Sequence, residues 1–147
     1  MLKASTGLRT KLLDTGSLKS ILDGGVINIY SGPVPATADA ALDPSNTRLC
    51  TVTVGSGATG LSFDDAAADG VLAKPALTVL SGVDAASSTA SFYRHVAAGD
   101  DGTASTAQAR LQGGIATFGA ELNLTSTALV SGATQTIDFY SVAVPTL

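Results

Sequence analysis

The chain has 147 residues, 14% of them charged, a mean hydropathy of +0.34 and a formal net charge of −4. That length fits one domain able to bury roughly 70% of its unfolded surface. The negative balance excludes a general nucleic-acid binder, which needs a basic and usually aromatic-lined face, and no run approaches the ~20 apolar residues of a membrane span.

The apolar content leans on Ala and Val, with Gly, Ser and Thr between them. Such weakly polar surfaces are suited to cover by neighbours of their own kind, so assembly is expected. Charge is uneven. Residues 1–25 set Lys3, Arg9, Lys11 and Lys19 against Asp14 and Asp23, a net +2, while the remainder carries −6. A basic segment on an acidic body can dock on an acidic neighbour, including another copy. The single cysteine, Cys50, allows no internal disulfide. Met1-Leu2-Lys3 is followed by no apolar h-region, so no signal peptide is expected.

Residues 1–23 are the only helical candidate. Leu8, Leu12 and Leu13 fall at helical spacing, as do Leu18, Ile21 and Leu22. Ser5 or Thr6 caps the first piece and Ser17 the second, with Gly16 between them. Helices this short need something to pack on, either the body of the chain or a neighbour. Gly24-Gly25 ends the segment and opens the first strand, Val26 to Tyr30, which is rich in β-formers and bounded by Ser31-Gly32-Pro33. Pro33, Pro35 and Pro44 keep residues 31–46 out of any central strand.

Further strands are expected over Arg48 to Val54, Leu61 to Phe63, Leu77 to Leu80, Ser87 to Val96, Gln108 to Thr117, Glu121 to Leu124, Thr125 to Val130 and Thr134 to Val144, with Pro145 closing the last. Turns are expected at Gly55 to Gly60, Ser81-Gly82, Asp100-Asp101-Gly102 and Ser131-Gly132. Gly113-Gly114 marks a bulge or a close backbone approach. Ile137-Asp138-Phe139-Tyr140 echoes Ile27-Asn28-Ile29-Tyr30, so both strands are expected to be central to one core. This gives about eight or nine short strands with turns at roughly ten-residue spacing. The expected class is all-β: a single-domain jelly-roll or Greek-key sandwich over residues 24–147, preceded by a basic helical segment, residues 1–23. No helix long enough for a βαβ crossover follows residue 25, which argues against a parallel sheet.

Catalytic chemistry finds little purchase. His95 is the only histidine, sits inside a β-type run, and is accompanied by no GxSxG elbow. Cys50 lies in another such run and reads as a structural thiol. Asp64, Asp65 and Asp69, and separately Asp100 and Asp101, are acidic groupings without EF-hand spacing; both read as turn formers. Gly55 to Gly60 lacks the Lys-Ser/Thr of a P-loop. The stronger candidate is the basic segment. One reading is a solvated helix on the domain's own surface. The other is an arm reaching a neighbouring subunit, with Leu8, Leu12, Leu18 and Leu22 buried there and Lys3, Arg9, Lys11 and Lys19 supplying charge. On the second reading, deleting residues 1–22 leaves the β body folded.

Several phrases resemble a known group. They are Ile29-Tyr30-Ser31-Gly32 followed by Pro35 to Leu42, Phe92-Tyr93-Arg94 followed by Asp100-Asp101-Gly102, Arg110-Leu111-Gln112-Gly113 followed by Gly119 to Leu124, and Gly132 to Tyr140. Together they resemble small structural proteins of tailed bacteriophages, most of all the capsid decoration, or cement, proteins of short-tailed phages. The resemblance implies a jelly-roll-like β domain on the capsid exterior, made in the host cytoplasm. Its implied partners are the major capsid protein and further copies of itself, as dimer or trimer, with no nucleic acid, membrane, cofactor or active site. A connector, tail or collar component, or a glycan-binding surface module, is the alternative.

Overall fold

The computed structural model describes residues 1–143. A two-residue strand, β1 (Lys3–Ala4), leads into helices α1 (Thr6–Asp14) and α2 (Leu18–Leu22). Ser5 caps α1 by accepting from the Leu8 N–H at 3.1 Å, and Ser17 with Ser20 forms a reciprocal capping box on α2. The strands are β2 (Val26–Ser31), β3 (Thr47–Val54), β4 (Val71–Ala73), β5 (Leu80–Val83), β6 (Ser88–Thr89), β7 (Phe92–Val96), β8 (Arg110–Ala116), β9 (Leu122–Asn123), β10 (Ala128–Leu129), β11 (Thr134–Ile137) and β12 (Ser141–Ala143). The fold is all-β, as expected, and eight of these strands run three residues or longer. The expected end of the last strand, at Val144 and Pro145, lies outside the described residues. No helix among the described residues is long and apolar enough to cross a membrane.

The main sheet runs β1-β8-β7-β2-β3-β5-β11, with β9 added parallel to β8; β10–β6 and β12–β4 are antiparallel ribbons. Side chains alternate between its two faces. On the inner face Leu111, His95, Ile27 and Val52 line up across four strands, as do Gly113, Tyr93, Ile29 and Cys50. Leu8, Leu22, Phe63, Leu122, Ile137 and Tyr140 cover them to make one core. Tyr140 follows the last strand in the order, yet its ring packs edge-on against Tyr93 of β7.

The outer face is polar. Lys3, Gln112, Arg94, Asn28 and Thr51 form one row, and Gly114, Phe92, Tyr30 and Arg48 the next. This face is roofed by residues 33–46. That segment has no ladder partners, so its carbonyls need other donors. The sheet supplies them: Gln112 Nε2 to Pro35 at 2.7 Å, Lys3 Nζ to Ala36 at 3.0 Å and Arg94 Nη2 to Ala40 at 2.9 Å.

Several expectations shift. The strand expected over Ser87 to Val96 is broken at Ala90-Ser91 into β6, which pairs with β10, and β7 of the main sheet. Leu61 to Phe63 is extended but pairs with Gly24 and Gly25 through only two hydrogen bonds. The strand expected over Leu77 to Leu80 begins at Leu80 and runs through Ser81-Gly82. A Cβ on Gly82 would lie 2.3 Å from the Thr51 carbonyl oxygen, so this glycine allows close strand approach instead of making a turn. At Gly113 a Cβ would lie 2.7 Å from the Tyr93 ring, the close approach anticipated there. Lastly, the two echoing tetrapeptides share the core but not the sheet centre. β2 is central; β11 is the end strand, and a bend at Asp138-Phe139 turns Phe139 outward while Ile137 and Tyr140 stay buried.

Candidate functional site

The N-terminal segment is built into the domain. Leu8 and Leu22 are fully buried in its own core, and Leu18 packs against that core. Gly7 lies so close to residues 107–108 that a Cβ there would come within 2.4 Å of the Ala107 backbone. Ser5 is also buried, and its hydroxyl is a three-way junction: it caps α1, donates to the Gln108 carbonyl at 2.7 Å and accepts from the Arg110 N–H at 2.9 Å. The expectation of an arm with Leu8, Leu12, Leu18 and Leu22 inserted in a neighbour is thus corrected for Leu8, Leu18 and Leu22. Leu8 and Leu22 are consumed by the body and Leu18 is half-buried against it, because two short helices cannot stand alone.

The basic residues divide. Lys19 is tied to the Phe63 carbonyl at 2.6 Å and to Asp23 at 3.0 Å, and Lys3 to the Ala36 carbonyl. Both serve the fold. Arg9, Lys11, Leu12 and Leu13 remain toward the outside of α1. Leu12 is 41% exposed and Leu13 89%. Arg9 and Leu13 are one turn apart and share a face. Elsewhere Leu77, Phe118 and Phe139 stand almost fully exposed in loops.

The groups that carry chemistry in other proteins are committed to structure. His95 is fully buried, with Nδ1 3.0 Å from the Tyr140 hydroxyl and the ring packed against both Phe63 and Tyr140. Burial pushes its pKa down to about 4, against smaller opposing effects of the Leu22 carbonyl and Asp23. Cys50 is buried, and burial, with Asp84 beside it, raises its thiol to about 12, so it stays a thiol at neutral pH. Burial also raises the Tyr140 hydroxyl well above its ordinary range.

His95 gives a pH signature. Its folded pKa lies below the ordinary 6.5, so the unfolded chain binds the extra proton first. Its contribution is full above pH 6.5 and is lost as pH falls toward 4, by about 3 kcal/mol. Urea unfolding at pH 7, 6, 5 and 4.5 is expected to show this decline, and His95→Gln is expected to flatten it. An equal slope in the variant contradicts the assignment.

What sequence reasoning missed is the arginine face. Arg94 and Arg110 are both buried, in strands whose other residues are mostly apolar. Every guanidinium nitrogen of Arg110 has a partner. Its Nε and Nη2 grip both oxygens of Asp100 at 2.6 and 3.0 Å, and it also donates to the Thr103 and Ala38 carbonyls. Arg94 differs. Its Nε donates to Gln112 and its Nη2 to loop carbonyls, no carboxylate among the described residues lies within 4 Å, and Nη1 is buried with no partner. The available signal was an arginine in the middle of each of two strand-like runs, FYRHV and ARLQ, where a purely apolar core has no use for one.

The chain matches no family model, no curated protein and no solved structure.

Proposed function

We propose that this chain is a non-enzymatic virion structural protein. It binds the outer surface of a tailed-phage capsid and stabilises contacts between major capsid subunits. The resemblance of its sequence to capsid decoration proteins supports this reading. So does the structural employment of His95 and Cys50, which leaves neither placed for acid–base or nucleophilic work.

The observation that carries the proposal is the outer face of α1. A helix locked to a rigid β body by Leu8 presents Leu12 and Leu13 beside Arg9 and Lys11. Apolar side chains on a fixed support lose little entropy on docking, and adjacent cations favour an acidic partner. A domain of this kind adds interface free energy at each subunit boundary it spans, multiplied by copy number.

The test is the double variant Arg9→Glu, Leu13→Asp. Both side chains are exposed, so thermal stability is expected to stay close to wild type, within about 0.5 kcal/mol. Binding to capsid shells lacking the protein is expected to weaken at least tenfold. Unchanged binding would remove α1 from the interface and with it the main support for the proposal.

A further inference from the structure

Beside the roof segment the outer face holds a cavity of about 300 Å³, lined by Asn28, Tyr30, Leu42, Arg48, Arg94 and Val96, with Asp100 and Asp101 at one side. We propose that this cavity binds a carboxylate, held by Arg94 and Arg48. The inference goes beyond the capsid reading and does not depend on it.

Three observations converge. First, Arg94 is 1% exposed, carries a charge that proteins cannot titrate away, and has only neutral partners. A buried cation in that state is costly, and the missing partner is an anion. The orphaned Nη1 is the donor left for it. Second, Arg48 is brought to the same site by a bulge. The register of β3 against β2 shifts between Ile29 and Tyr30, so that Cys50 pairs with Ile29 but Arg48, not Leu49, pairs with Tyr30. Leu49 and Cys50 both turn into the core, and Arg48 is re-aimed onto the polar face. Among the described residues Arg48 makes no ion pair. Third, Asn28 Oδ1 already accepts from the Thr51 hydroxyl at 2.8 Å, which leaves its amide hydrogens as donors beside Arg94 on the neighbouring strand.

The acids nearby do not fill the role. Asp100 gives both oxygens to Arg110 and also accepts from the Gly102 N–H. Asp101 accepts from the Thr103 N–H and hydroxyl. Asp39 is bound through both oxygens to Thr6. Their charges do set the class of ligand. Asp100 and Asp101 at the side of the cavity repel a dianion such as phosphate more than a singly charged carboxylate. A carboxylate also matches the planar fork of a guanidinium. The cavity volume sits at the small end of ligand sites, enough for a short organic acid or for the end of an Asp or Glu side chain.

The experiment uses the full chain and the arginine Nε–Hε NMR signals, of which Arg94's is fixed by its bond to Gln112 Oε1. Sodium acetate, acetyl-glutamate amide and inorganic phosphate are titrated separately at constant ionic strength. A saturable shift of the Arg94 signal is expected with a carboxylate, with phosphate at least tenfold weaker. Arg48→Gln, an exposed position, is expected to weaken the carboxylate response tenfold or more while leaving the spectrum otherwise folded. Saturation by acetate alone identifies a small-acid site, and saturation by the blocked glutamate identifies docking of a protein side chain; either supports the proposal. No saturable shift with either carboxylate, a response unchanged by Arg48→Gln, or phosphate binding as tightly as carboxylate would overturn it.

Discussion

Removing residues 1–22 is expected to unfold the protein. The deletion strips Leu8 and Leu22 from the centre of the core, each fully buried. Truncating one such leucine to alanine costs about 2–5 kcal/mol, and the whole stability of a domain of this size is about 5–15 kcal/mol. Further losses follow. Strand β1 leaves the edge of β8. The Gln108 carbonyl and the Arg110 N–H lose the Ser5 hydroxyl, and Asp39 loses Thr6. Circular dichroism of the truncated chain is expected to show no cooperative melt, and Leu8→Ala in the full chain is expected to lower stability in urea by about 2–5 kcal/mol. A truncated chain that melts cooperatively near the wild-type midpoint would restore the picture of a detachable arm.

Breaking the Arg110–Asp100 pair is the second large effect. Both side chains are buried, at 0% and 2% exposure. Removing one partner leaves the other charge buried and uncompensated, which costs about 3–5 kcal/mol. Arg110→Met also strips a donor from the Thr103 and Ala38 carbonyls, so the roof segment and the loop carrying Asp100 are both loosened. Asp100→Asn is expected to be comparably harmful, because it strands Arg110 beside Arg94, a second buried cation. The double variant Asp100→Asn, Arg110→Met is expected to be less destabilised than the sum of the singles, since the stranded charge is gone. Strict additivity in urea unfolding would mean that the pair contributes nothing beyond its separate contacts.

Much of the fold is legible in the chain because its signals are local. Ser5 and Ser17 sit where helix caps are needed, Gly24-Gly25 ends the helical segment, and Val26 to Tyr30 forms the central strand of the sheet. The misplacements come from contacts far apart in sequence. Ser81-Gly82 has the composition of a turn, yet Gly82 is there to let β5 approach Thr51. Ile137 to Tyr140 repeats the pattern of β2, yet a bend at Asp138-Phe139 separates its two buried residues. The destination of α1 could not be read from leucine spacing, since an amphipathic helix buries its stripe equally well on its own body or on another. The arginine face was least legible. Its meaning depends on the cross-strand rows that place Arg94 between Asn28 and Gln112, and on a bulge that moves Arg48 by one position.

The central claim, that this is a capsid-binding structural protein, is tested most directly by counting copies. Purified protein is titrated onto capsid shells lacking it, and the bound protein at saturation is measured per major capsid subunit. The account predicts saturation at a small fixed ratio, near one copy per subunit. A few copies per particle would assign it to a connector or tail position instead, and no binding at all would contradict the account.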